Sequence, residues 1–367
     1  MLKAELSLVR QERLLEVLQR RKLDAAVVAW PGHVYYLSAH LTGWLHQSCF
    51  ILFGDGRSWL ATANQPNREA AADEVVSYEA NWLGTQRSDQ PEVIAGKTLE
   101  ALKGRGVKRI GVDASLAGCP VLMGFDGEAV SVDFDLHRLR RQKDADELEL
   151  MQKAIGCCLA MYRRAREVIE PGVPELKVFT ELHAAAVEAA GEPLHPMHLG
   201  NDYACGVPGG PPRKDHRAKA GEIYILDLGP AYRGYFSDNA RSFAVDRKPT
   251  DAQMQAWRAV AGVFGIVEKM ARPGTRCRDI FAAVDEHLKL ARGGGMPHHL
   301  GHGVGLQPHE YPHLNPKWDD VLLEGEVFTA EPGQYGPELA GGMRIENQYL
   351  VTKDGVRNLM DFPLELA

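Results

Sequence analysis

The fold is decided by residues 223–245, which read IYILDLGPAYRGYFSDNARSFAV. Asp227 follows an apolar run, and Asp238 opens a second extended run that ends at Val245. The glycines, proline and tyrosines between the two runs are typical of a hairpin turn. A carboxylate in an apolar strand is costly to ionise, and two on neighbouring strands also repel each other. Two interpretations follow: Asp227 and Asp238 share a multivalent cation, or both acids lie on a solvent-facing side of the hairpin.

Composition narrows the class of protein. A length of 367 residues predicts two domains, and the net charge of -7 argues against a nucleic-acid partner. The basic run at 138–143 is followed at once by acids, so we interpret it as a solvated helix start. No apolar run is long enough for a membrane span, and the N-terminal amphipathic helix does not resemble a signal peptide. Six cysteines without CxxC spacing favour free thiols in a reducing cytoplasm.

Residues 1–137 alternate between helix and strand patterns, which predicts a small α/β domain. A strand is expected after the first helix at Ala25–Trp30, and a hairpin is expected from Cys49–Phe53 and Trp59–Thr62. A helix at about 91–102 then leads to a strand at 109–112. No catalytic motif is recognisable here. Five aromatic side chains are candidates for lining a pocket, although packed or surface positions are the commoner outcome: His33, His40, Trp44, His46 and Trp82.

Residues 138–367 carry a pattern that occurs twice. A long helix from Asp144 is expected to bury Leu148, Met151, Ile155 and Leu159, and a second helix is expected at 175–190. Helices at 251–270 and 278–290 repeat this order before a strand at 326–330. Pro171-Gly172 recurs as Pro273-Gly274, 102 positions later, and Asp227 is matched by Glu331, 104 positions later. The repetition predicts an internal duplication with one shared site, since its period is too long for a solenoid.

The second half supplies further candidate metal ligands. Glu331 and Glu346 are flanked by apolar strand residues, as Asp227 and Asp238 are. Between the halves, residues 298–312 read HHLGHGVGLQPHEYP, where glycines on both sides of His302 permit close approach of backbone and ligand. Four carboxylates and one imidazole suit Mn²⁺, Co²⁺, Fe²⁺ or Zn²⁺. Two bridging carboxylates would hold two ions about 3.5–4 Å apart and lower the pKa of a bridging water.

At this point a resemblance becomes specific. The five positions lie in the contexts LDLG, SDNAR, GHGVGL, AEPG and RIEN, with HEYP following the histidine. In this order they resemble the superfamily of methionine aminopeptidase, prolidase, aminopeptidase P and creatinase, which has the pita-bread metallopeptidase fold. The resemblance covers essentially the whole chain and is closest in layout to Xaa-Pro dipeptidases. It implies a creatinase-like N-terminal α/β domain at 1–137 and a pseudo-symmetric pita-bread catalytic domain at 138–367, together an α/β plus α+β fold.

The resemblance also implies roles for individual residues. Asp227 would bind one metal, Asp238 and Glu346 would bridge both, and His302 and Glu331 would bind the other. Glu331 would in addition act as general base on the bridging water. Two residues outside the ligand set complete the implied site: His309 would contact the substrate carbonyl and Arg344 would orient Glu346 or Asp238. Tyr232 or Tyr235 is either a nearby hydrogen-bond donor or a packed turn residue.

The implied activity is cleavage of the amide bond before proline in Xaa-Pro dipeptides or short peptides by a metal-bridging hydroxide. Two divalent ions are implied, Mn or Co first, with Zn or Fe as alternatives. The competing hypothesis is a metal-dependent lyase or amidohydrolase acting on a small non-peptide substrate. Metal-free creatinase chemistry and a binding module without turnover are disfavoured because all five ligand positions are filled. Relatives of this layout imply a cytoplasmic homodimer, in which Trp44 or His46 would reach the partner's pocket.

Two departures from the family pattern put the substrate in question. Family peptidases carry a histidine about 17 residues before the first metal-binding aspartate, and Gly210 stands at that position. Prolidases also carry an arginine soon after the HExP segment, where this chain has His313. The histidines that would substitute for the missing one have different offsets: His195, His198 and His216.

Overall fold

The structure is a computed structural model that describes residues 1–113, 123–194, 200, 202–291 and 293–366. The chain divides into two compact units, Met1–Arg140 and Arg141–Ala367. We expected the domain boundary between residues 137 and 138, and a helix over Asp133–Arg141 runs through that position. Within the described ranges, the helices are all too short or too polar to span a membrane.

The first unit is built on a sheet of six strands: β1 (Ala25–Val28), β2 (Cys49–Phe53), β3 (Ser58–Ala63), β4 (Glu74–Tyr78), β7 (Arg109–Val112) and β8 (Glu128–Ser131). They pair in the order β4-β3-β2-β1-β7-β8, and β5 (Asn81–Trp82) and β6 (Thr85–Gln86) form a separate small hairpin. The helices are α1 (Ala4–Arg21), α2 (Pro31–Ser38), α3 (Gln90–Lys103) and α4 (Asp133–Arg141). Antiparallel pairing of β2 with β3 places Ile51 opposite Trp59, which confirms the predicted hairpin. The short strand β1 is buried along its whole length, as expected for a central strand of apolar residues.

The second unit contains four long helices: α5 (Ala145–Val168), α6 (Glu175–Ala190), α7 (Asp251–Met270) and α8 (Cys277–Lys289). The first-half strands are β9 (Ile223–Leu228), β10 (Ala231–Tyr232), β11 (Tyr235–Phe236) and β12 (Asn239–Ala244). The second-half strands are β13 (Gly301–Gly303), β14 (Glu310–Leu314), β15 (Val327–Ala330), β16 (Gly333–Gly336), β17 (Gly341–Arg344), β18 (Asn347–Val351) and β19 (Val356–Asn358), with a 3₁₀ turn at Pro337–Leu339. Capping boxes at Asp144 and Thr250 start α5 and α7, so these two helix starts are defined by local sequence.

Equivalent backbone hydrogen bonds confirm the internal duplication. The Gly172 amide donates to the Ala218 carbonyl at 2.7 Å, and the Gly274 amide donates to the Leu322 carbonyl at 2.9 Å. Both glycines have a φ of 90°, a left-handed conformation that other residues rarely adopt. The same offsets relate two isolated bridges, Pro174 with Arg217 and Arg276 with Val321. Each half therefore joins its two helices by the same turn, which is fastened to the segment leading into a strand.

Strands of the two halves meet around a shared centre. The main sheet has the order β14-β13-β15-β18-β19, while β12-β9 and β16-β17 form two-stranded pairs. The Glu346 amide donates to the Ala240 carbonyl at 2.9 Å, which links the first-half hairpin to the chain between β17 and β18. An apolar cluster of this unit packs α7 and α8 against these strands through Val260, Val263, Ile280, Val284, Phe328 and Ile345. The acid-bearing strands are thus held by a buried core.

Two expectations about this unit are wrong in detail. The buried face of α5 contains Met151 and Ile155 but also Leu150, Cys158 and Tyr162, whereas Leu148 and Leu159 are only partly buried. The reason is the contact with the hairpin, where the Tyr162 hydroxyl donates to the Asn239 carbonyl at 2.5 Å. The basic run at 138–143 ends α4 rather than starting a solvated helix. Its last member, Lys143, is buried and forms an ion pair with Glu310 at 2.8 Å.

Candidate metal centre

The β9–β12 hairpin brings the first two acids together. Asp227 lies in β9 opposite Ala240, and Asp238 immediately precedes β12. Their exposed fractions are 8% and 4%, so the interpretation of a solvent-facing hairpin surface is wrong. The close turn at Gly229 contributes, because a Cβ there would lie 3.0 Å from the Ser237 carbonyl oxygen. Two carboxylates are therefore held side by side away from water.

The second half completes the cluster. Glu331 follows β15, Glu346 lies between β17 and β18, and His302 is the central residue of β13. Ligand atoms of Asp227, Asp238 and Glu346 lie within 4.8 Å of one another, and so do those of His302, Glu331 and Glu346. A third group of the same compactness joins Asp238 to His302 and His309. The structure thus brings all five expected ligands together, and Glu346, Asp238 and His302 each belong to two of these three groups.

The polar atoms of this cluster fit a bound cation. Among the described residues, both carboxylate oxygens of Glu346 and Oδ1 of Asp227 have no hydrogen-bond partner, although both residues are buried. Buried polar atoms are almost always paired, so unpaired carboxylate oxygens facing one another require a counter-ion. The donor set of four carboxylates and an imidazole is hard and rich in oxygen, which suits a divalent metal.

Electrostatics agree with this conclusion. Burial raises the pKa of Asp227 to about 6, although the Arg344 charge opposes the rise. Burial and neighbouring carboxylates raise the pKa values of Asp238 and Glu346 well above their ordinary range. Burial also disfavours ionisation of Glu331, but its bonds to His299 and His302 outweigh burial and lower its pKa. The Arg344 guanidinium offsets only part of the negative charge of the four acids, and a divalent cation would supply the rest.

His302 is oriented by its backbone surroundings. Its Nδ1 lies 3.1 Å from the Gly303 carbonyl oxygen, so the ring donates there and turns Nε2 toward the acids. Nε2 is 3.3 Å from Glu331 Oε1 and 3.8 Å from Asp238 Oδ2. A Cβ at Gly303 would lie 1.8 Å from the Tyr311 carbonyl oxygen, and one at Gly301 would lie 1.9 Å from that of Thr329. The glycines on both sides of His302 are therefore required by packing against neighbouring strands.

His309 lies beside His302 at the accessible side of the cluster. The two rings are stacked, with centroids 3.6 Å apart and an interplanar angle of 13°. Burial and the neighbouring His302 lower the pKa of His309 to about 4, so the imidazole is neutral at neutral pH. Unlike buried His302, the side chain of His309 is exposed and can contact a ligand that approaches the acids.

Arg344 contacts a different acid from the one expected. Its Nη2 donates to Asp227 Oδ2 at 2.9 Å and also pairs closely with Asp202. The expectation that it would orient Glu346 or Asp238 is therefore wrong. Its Nη1 donates to the Tyr335 hydroxyl at 3.2 Å, which in turn lies 3.0 Å from His298 Nε2. Arg344 thus bonds directly to Asp227 and belongs to a chain of polar contacts that continues through Tyr335 to His298.

The remaining predicted residues lie elsewhere. The Tyr235 hydroxyl donates to Glu147 Oε1 at 2.9 Å, and Tyr232 packs under the Arg233 guanidinium. The ring of His313 stacks on Trp318 at 4.2 Å and contacts Asp320, so it is held within its own strand region. In the first unit, His33 is a packed residue, His40 contacts Asn67, and the surface carries Trp44 and Trp82, exposed by 83% and 56%. The pair His195 and His198 falls outside the described residues.

Gly210 lies in a turn closed by Asp202. Its amide donates to Asp202 Oδ1 at 2.6 Å, and its φ of +125° disfavours residues with a side chain. A Cβ at this position would meet nothing within 4 Å among the described atoms. Backbone conformation, rather than lack of space, accounts for glycine here.

Sequence reasoning missed two residues of this region. His299 Nε2 lies 3.0 Å from Glu331 Oε1, and Asp202 shares the Arg344 guanidinium with Asp227. The signal for His299 was its place three positions before His302 in a histidine-rich stretch. Asp202 gave no signal, because it lies in an irregular segment 142 residues before its partner.

A buried acid cluster of this composition, inside a duplicated α/β domain, is the arrangement of a metal-dependent hydrolase. Residues 149–353 match the model of metallopeptidase family M24, and the chain belongs to that family. Residues 10–151 match the creatinase/prolidase N-terminal domain. These two matches confirm the predicted metallopeptidase and the predicted order of its two folds.

Individual relatives extend over the full chain. The Xaa-Pro dipeptidase of Pyrococcus furiosus is 29% identical over 366 residues, which is 97% of this chain and 99% of the relative. The Xaa-Pro dipeptidase of Pyrococcus horikoshii is 27% identical, with coverage of 97% on both sides. The crystal structure of the prolidase from Pyrococcus horikoshii superposes with a TM-score of 0.79 at 25% identity, covering 98% of this chain and 99% of that one. The predicted pita-bread fold is therefore confirmed.

Proposed function

We propose that this metallopeptidase hydrolyses the amide bond before proline in Xaa-Pro dipeptides or short peptides, with two divalent metal ions. The proposal is supported by full-length similarity to proteins named Xaa-Pro dipeptidase and prolidase. The relatives reported above give no support to the alternative of a lyase or amidohydrolase with a non-peptide substrate. Gly210 and His313 still distinguish this chain from the expected pattern, so preference among Xaa-Pro substrates is a property to measure.

The observation that carries the proposal is the set of unpaired oxygens on Glu346 and Asp227. We assign Asp227 to one metal, His302 and Glu331 to the other, and Asp238 and Glu346 to both. Glu346 shares one compact ligand group with Asp227 and another with His302 and Glu331, and Asp238 shares one with Asp227 and another with His302, which supports a bridging role for both. When bound, the metal ions supply a water that ionises near neutral pH and polarise the substrate carbonyl. Among candidate ions we favour Mn²⁺ or Co²⁺, with Zn²⁺ and Fe²⁺ as alternatives.

The chain's own residues then divide the remaining tasks. Glu331 takes the proton from the attacking water and returns it to the proline nitrogen as the amide breaks. Neutral His309 donates its ring N–H to the carbonyl oxygen of the scissile amide, where negative charge develops. Arg344 does not touch the substrate in this assignment, since its bonds to Asp227 and Asp202 make it a positioning residue.

A metal-reconstitution assay tests the proposal. Metal-free protein is supplied with Mn²⁺, Co²⁺ or Zn²⁺ and offered Ala-Pro, Met-Pro and Xaa-Pro-Pro peptides, with an Asp238→Asn variant as control. We expect metal-dependent release of proline or of a proline-led product, and loss of that release in the variant. Stoichiometric metal uptake without cleavage of any Xaa-Pro peptide would contradict the substrate assignment while leaving the metal site intact.

We further propose that the protein is a cytoplasmic homodimer with domains at 1–137 and 138–367. Leu41, Trp44 and Leu45 support an interface, because three large apolar side chains are exposed within five residues and contiguous exposed apolar surface marks interaction sites. Light scattering with a Trp44→Ser variant tests this proposal. A monomeric wild-type protein with full activity would overturn it.

A further inference from the structure

A second cluster of metal-ligating side chains lies in the catalytic unit apart from the acid centre. Cys205, His216 and Glu222 each offer one ligand atom, and these atoms lie within 4.8 Å of one another. The Cys205 sulfur is 3.3 Å from Glu222 Oε2, and His216 Nε2 is 3.3 Å from the same oxygen. Thiolate, imidazole and carboxylate are the three side-chain ligands that zinc takes in proteins.

The distances agree with one small tetrahedral ion. Ordinary zinc bond lengths place neighbouring ligand atoms about 3.4–3.6 Å apart on a tetrahedron. Both observed separations from Glu222 lie close to that range. Cys205 is fully buried, whereas the side chains of His216 and Glu222 retain 19% and 17% exposure. Three ligands would therefore come from the protein, and the fourth position would be open to water.

The backbone makes room for this cluster. Gly206 follows the cysteine with a φ of +70°, and a Cβ there would lie 2.7 Å from Glu222 Oε1. Any side chain at Gly206 would therefore push the carboxylate away from the sulfur. Glu175 lies behind the cluster, accepts the Cys205 amide at 2.9 Å, and approaches His216 Nε2 to 4.0 Å. The hydrogen bond from the Cys205 amide to Glu175 fixes the backbone of the cysteine beside the cluster.

Comparison of the two halves supplies an independent argument. The position 104 residues after Glu222 is Glu326, a buried carboxylate that pairs with Arg141. In the first half, Arg213 is instead engaged with Glu175 and with the Cys205 carbonyl oxygen. Glu326 thus pairs directly with a guanidinium, whereas Glu222 contacts a thiol and an imidazole and the nearby guanidinium of Arg213 bonds to Glu175. The Glu222 carboxylate therefore lacks the direct arginine partner that its counterpart has, which leaves it available to share a cation with Cys205 and His216.

We propose that Cys205, His216 and Glu222 form a mononuclear site for a thiophilic divalent cation of the zinc class, separate from the acid centre. On binding, the Cys205 thiol releases its proton to solvent and its sulfur bonds to the metal. The ion would fasten the segment after α6 to the start of β9, the strand that carries Asp227. Its contribution is to stability of that segment, and no chemical step is assigned to it.

Cadmium titration tests this site without relying on activity. The protein is first loaded with Mn²⁺, and Cd²⁺ is then added while the thiolate-to-cadmium charge-transfer absorption in the ultraviolet is recorded. The assigned ligands of the acid centre include no sulfur, so the band reports on cysteine coordination alone. We expect a band that saturates at one Cd²⁺ per chain and disappears in Cys205→Ser. Zn²⁺ added beforehand should prevent the band from appearing.

Matched variants protect the test against unfolding and against other cysteines. Cys157→Ser changes a buried cysteine on α5 outside the cluster and should keep the full band. His216→Gln removes a partly exposed ligand and should weaken Cd²⁺ binding by more than the roughly 10–100-fold cost of losing an outer partner. A wild-type protein without the band at one equivalent would show that the cluster is only hydrogen-bonded. A band unchanged in both Cys205→Ser and His216→Gln would also overturn the proposal.

Discussion

The imidazole of His309 lies flat against that of His302, with ring centroids 3.6 Å apart. One ring is fixed through the Gly303 carbonyl and faces the acids, while the other lies at the accessible side of the cluster. In the proposed mechanism, two chemically identical groups therefore have different tasks: His302 would hold a metal, and His309 would contact the substrate. Burial, and after it the charge of the neighbouring His302, lower the pKa of His309 to about 4, which keeps it an N–H donor without a positive charge.

Replacing His309 should damage turnover and leave metal binding intact. We expect His309→Ala to lower kcat by about 10²–10³-fold, the usual cost of removing one donor to a developing oxyanion. Metal content measured by atomic emission should equal that of the wild type. The matched control is His313→Ala, because His313 is engaged with Trp318 and Asp320 instead. An equal loss of kcat in both variants would contradict the separate role of His309.

Neutralising Glu346 should stabilise the metal-free protein. Both of its carboxylate oxygens are buried without a hydrogen-bond partner among the described residues, and the neighbouring acids repel its charge. We expect Glu346→Gln to raise the Tm of the chelator-treated protein by about 2–4 °C for each kcal/mol gained, and to reduce metal uptake. Differential scanning fluorimetry with and without Mn²⁺ measures both effects. A lower Tm for the metal-free variant would mean that Glu346 is satisfied without a cation.

Removing Arg344 should loosen the metal held by Asp227. Its guanidinium connects Asp227 to Asp202, so Arg344→Met leaves that carboxylate unoriented. We expect metal affinity to fall by about 10–100-fold, as for other outer partners of metal ligands. Competition with a chelating dye measures the change. Asp202→Asn keeps the guanidinium and should give a smaller loss in the same direction, and wild-type affinity in Arg344→Met would refute the positioning role.

The first unit should lose stability below about pH 6.5 because of His33. Its Nδ1 donates to Asp113 at 3.0 Å, and its Nε2 faces Arg140 Nη1 at 3.1 Å. Burial lowers the His33 pKa, and the Arg140 charge adds to that effect against the opposing bond from Asp113. A histidine with a lowered pKa in the folded state takes up its proton more readily when unfolded. Stability is therefore unaffected above the unfolded pKa of about 6.5 and falls as the pH drops below it.

Asp113 acts in a lower pH range. Burial opposes its ionisation, but the bond from His33, the His33 charge and the backbone amides of Trp30 and Ala29 together outweigh burial and lower the pKa of Asp113, so its contribution is lost only below about pH 4. Between pH 6.5 and 5, the fall in unfolding free energy that His33 contributes should reach at most about 1.4 kcal/mol per pH unit. This part should be absent in His33→Gln, which keeps only the part from His40, whose pKa is also lowered by burial. Hydrogen exchange of peptides from residues 1–113, recorded by mass spectrometry, measures it. An identical slope in the variant would exclude His33 as its source.

Much of the fold follows from local patterns. The predicted helices at 175–190 and 251–270 coincide with α6 and α7, because proline-glycine turns and a capping box define their ends within the sequence itself. Asp227 and Glu331 were likewise recognisable from the sequence, because each follows an apolar strand run and a buried carboxylate is costly unless a partner compensates its charge.

What the sequence did not reveal depends on distant contacts. Packing on the β9–β12 hairpin determines which side of α5 is buried, because apolar residues occur on more than one side of this helix. The link from Arg344 to Asp202 joins an ordered strand to an irregular loop, and no periodicity marks either partner. In the sequence His299 is recognisable only as a neighbour of the His302 motif, and its contact with Glu331 becomes apparent only in the folded chain.

Because the catalytic unit is internally duplicated, the proposed metal centre lies between two non-identical halves that both contribute ligands. The first copy contributes Asp227 and Asp238, and the second contributes His302, Glu331 and Glu346. Neither half alone holds the complete set of proposed ligands, so a cation bound there would cross-link the two halves. The two halves thus depend on each other, because loss of the carboxylates of one half would leave the other with an incomplete metal site.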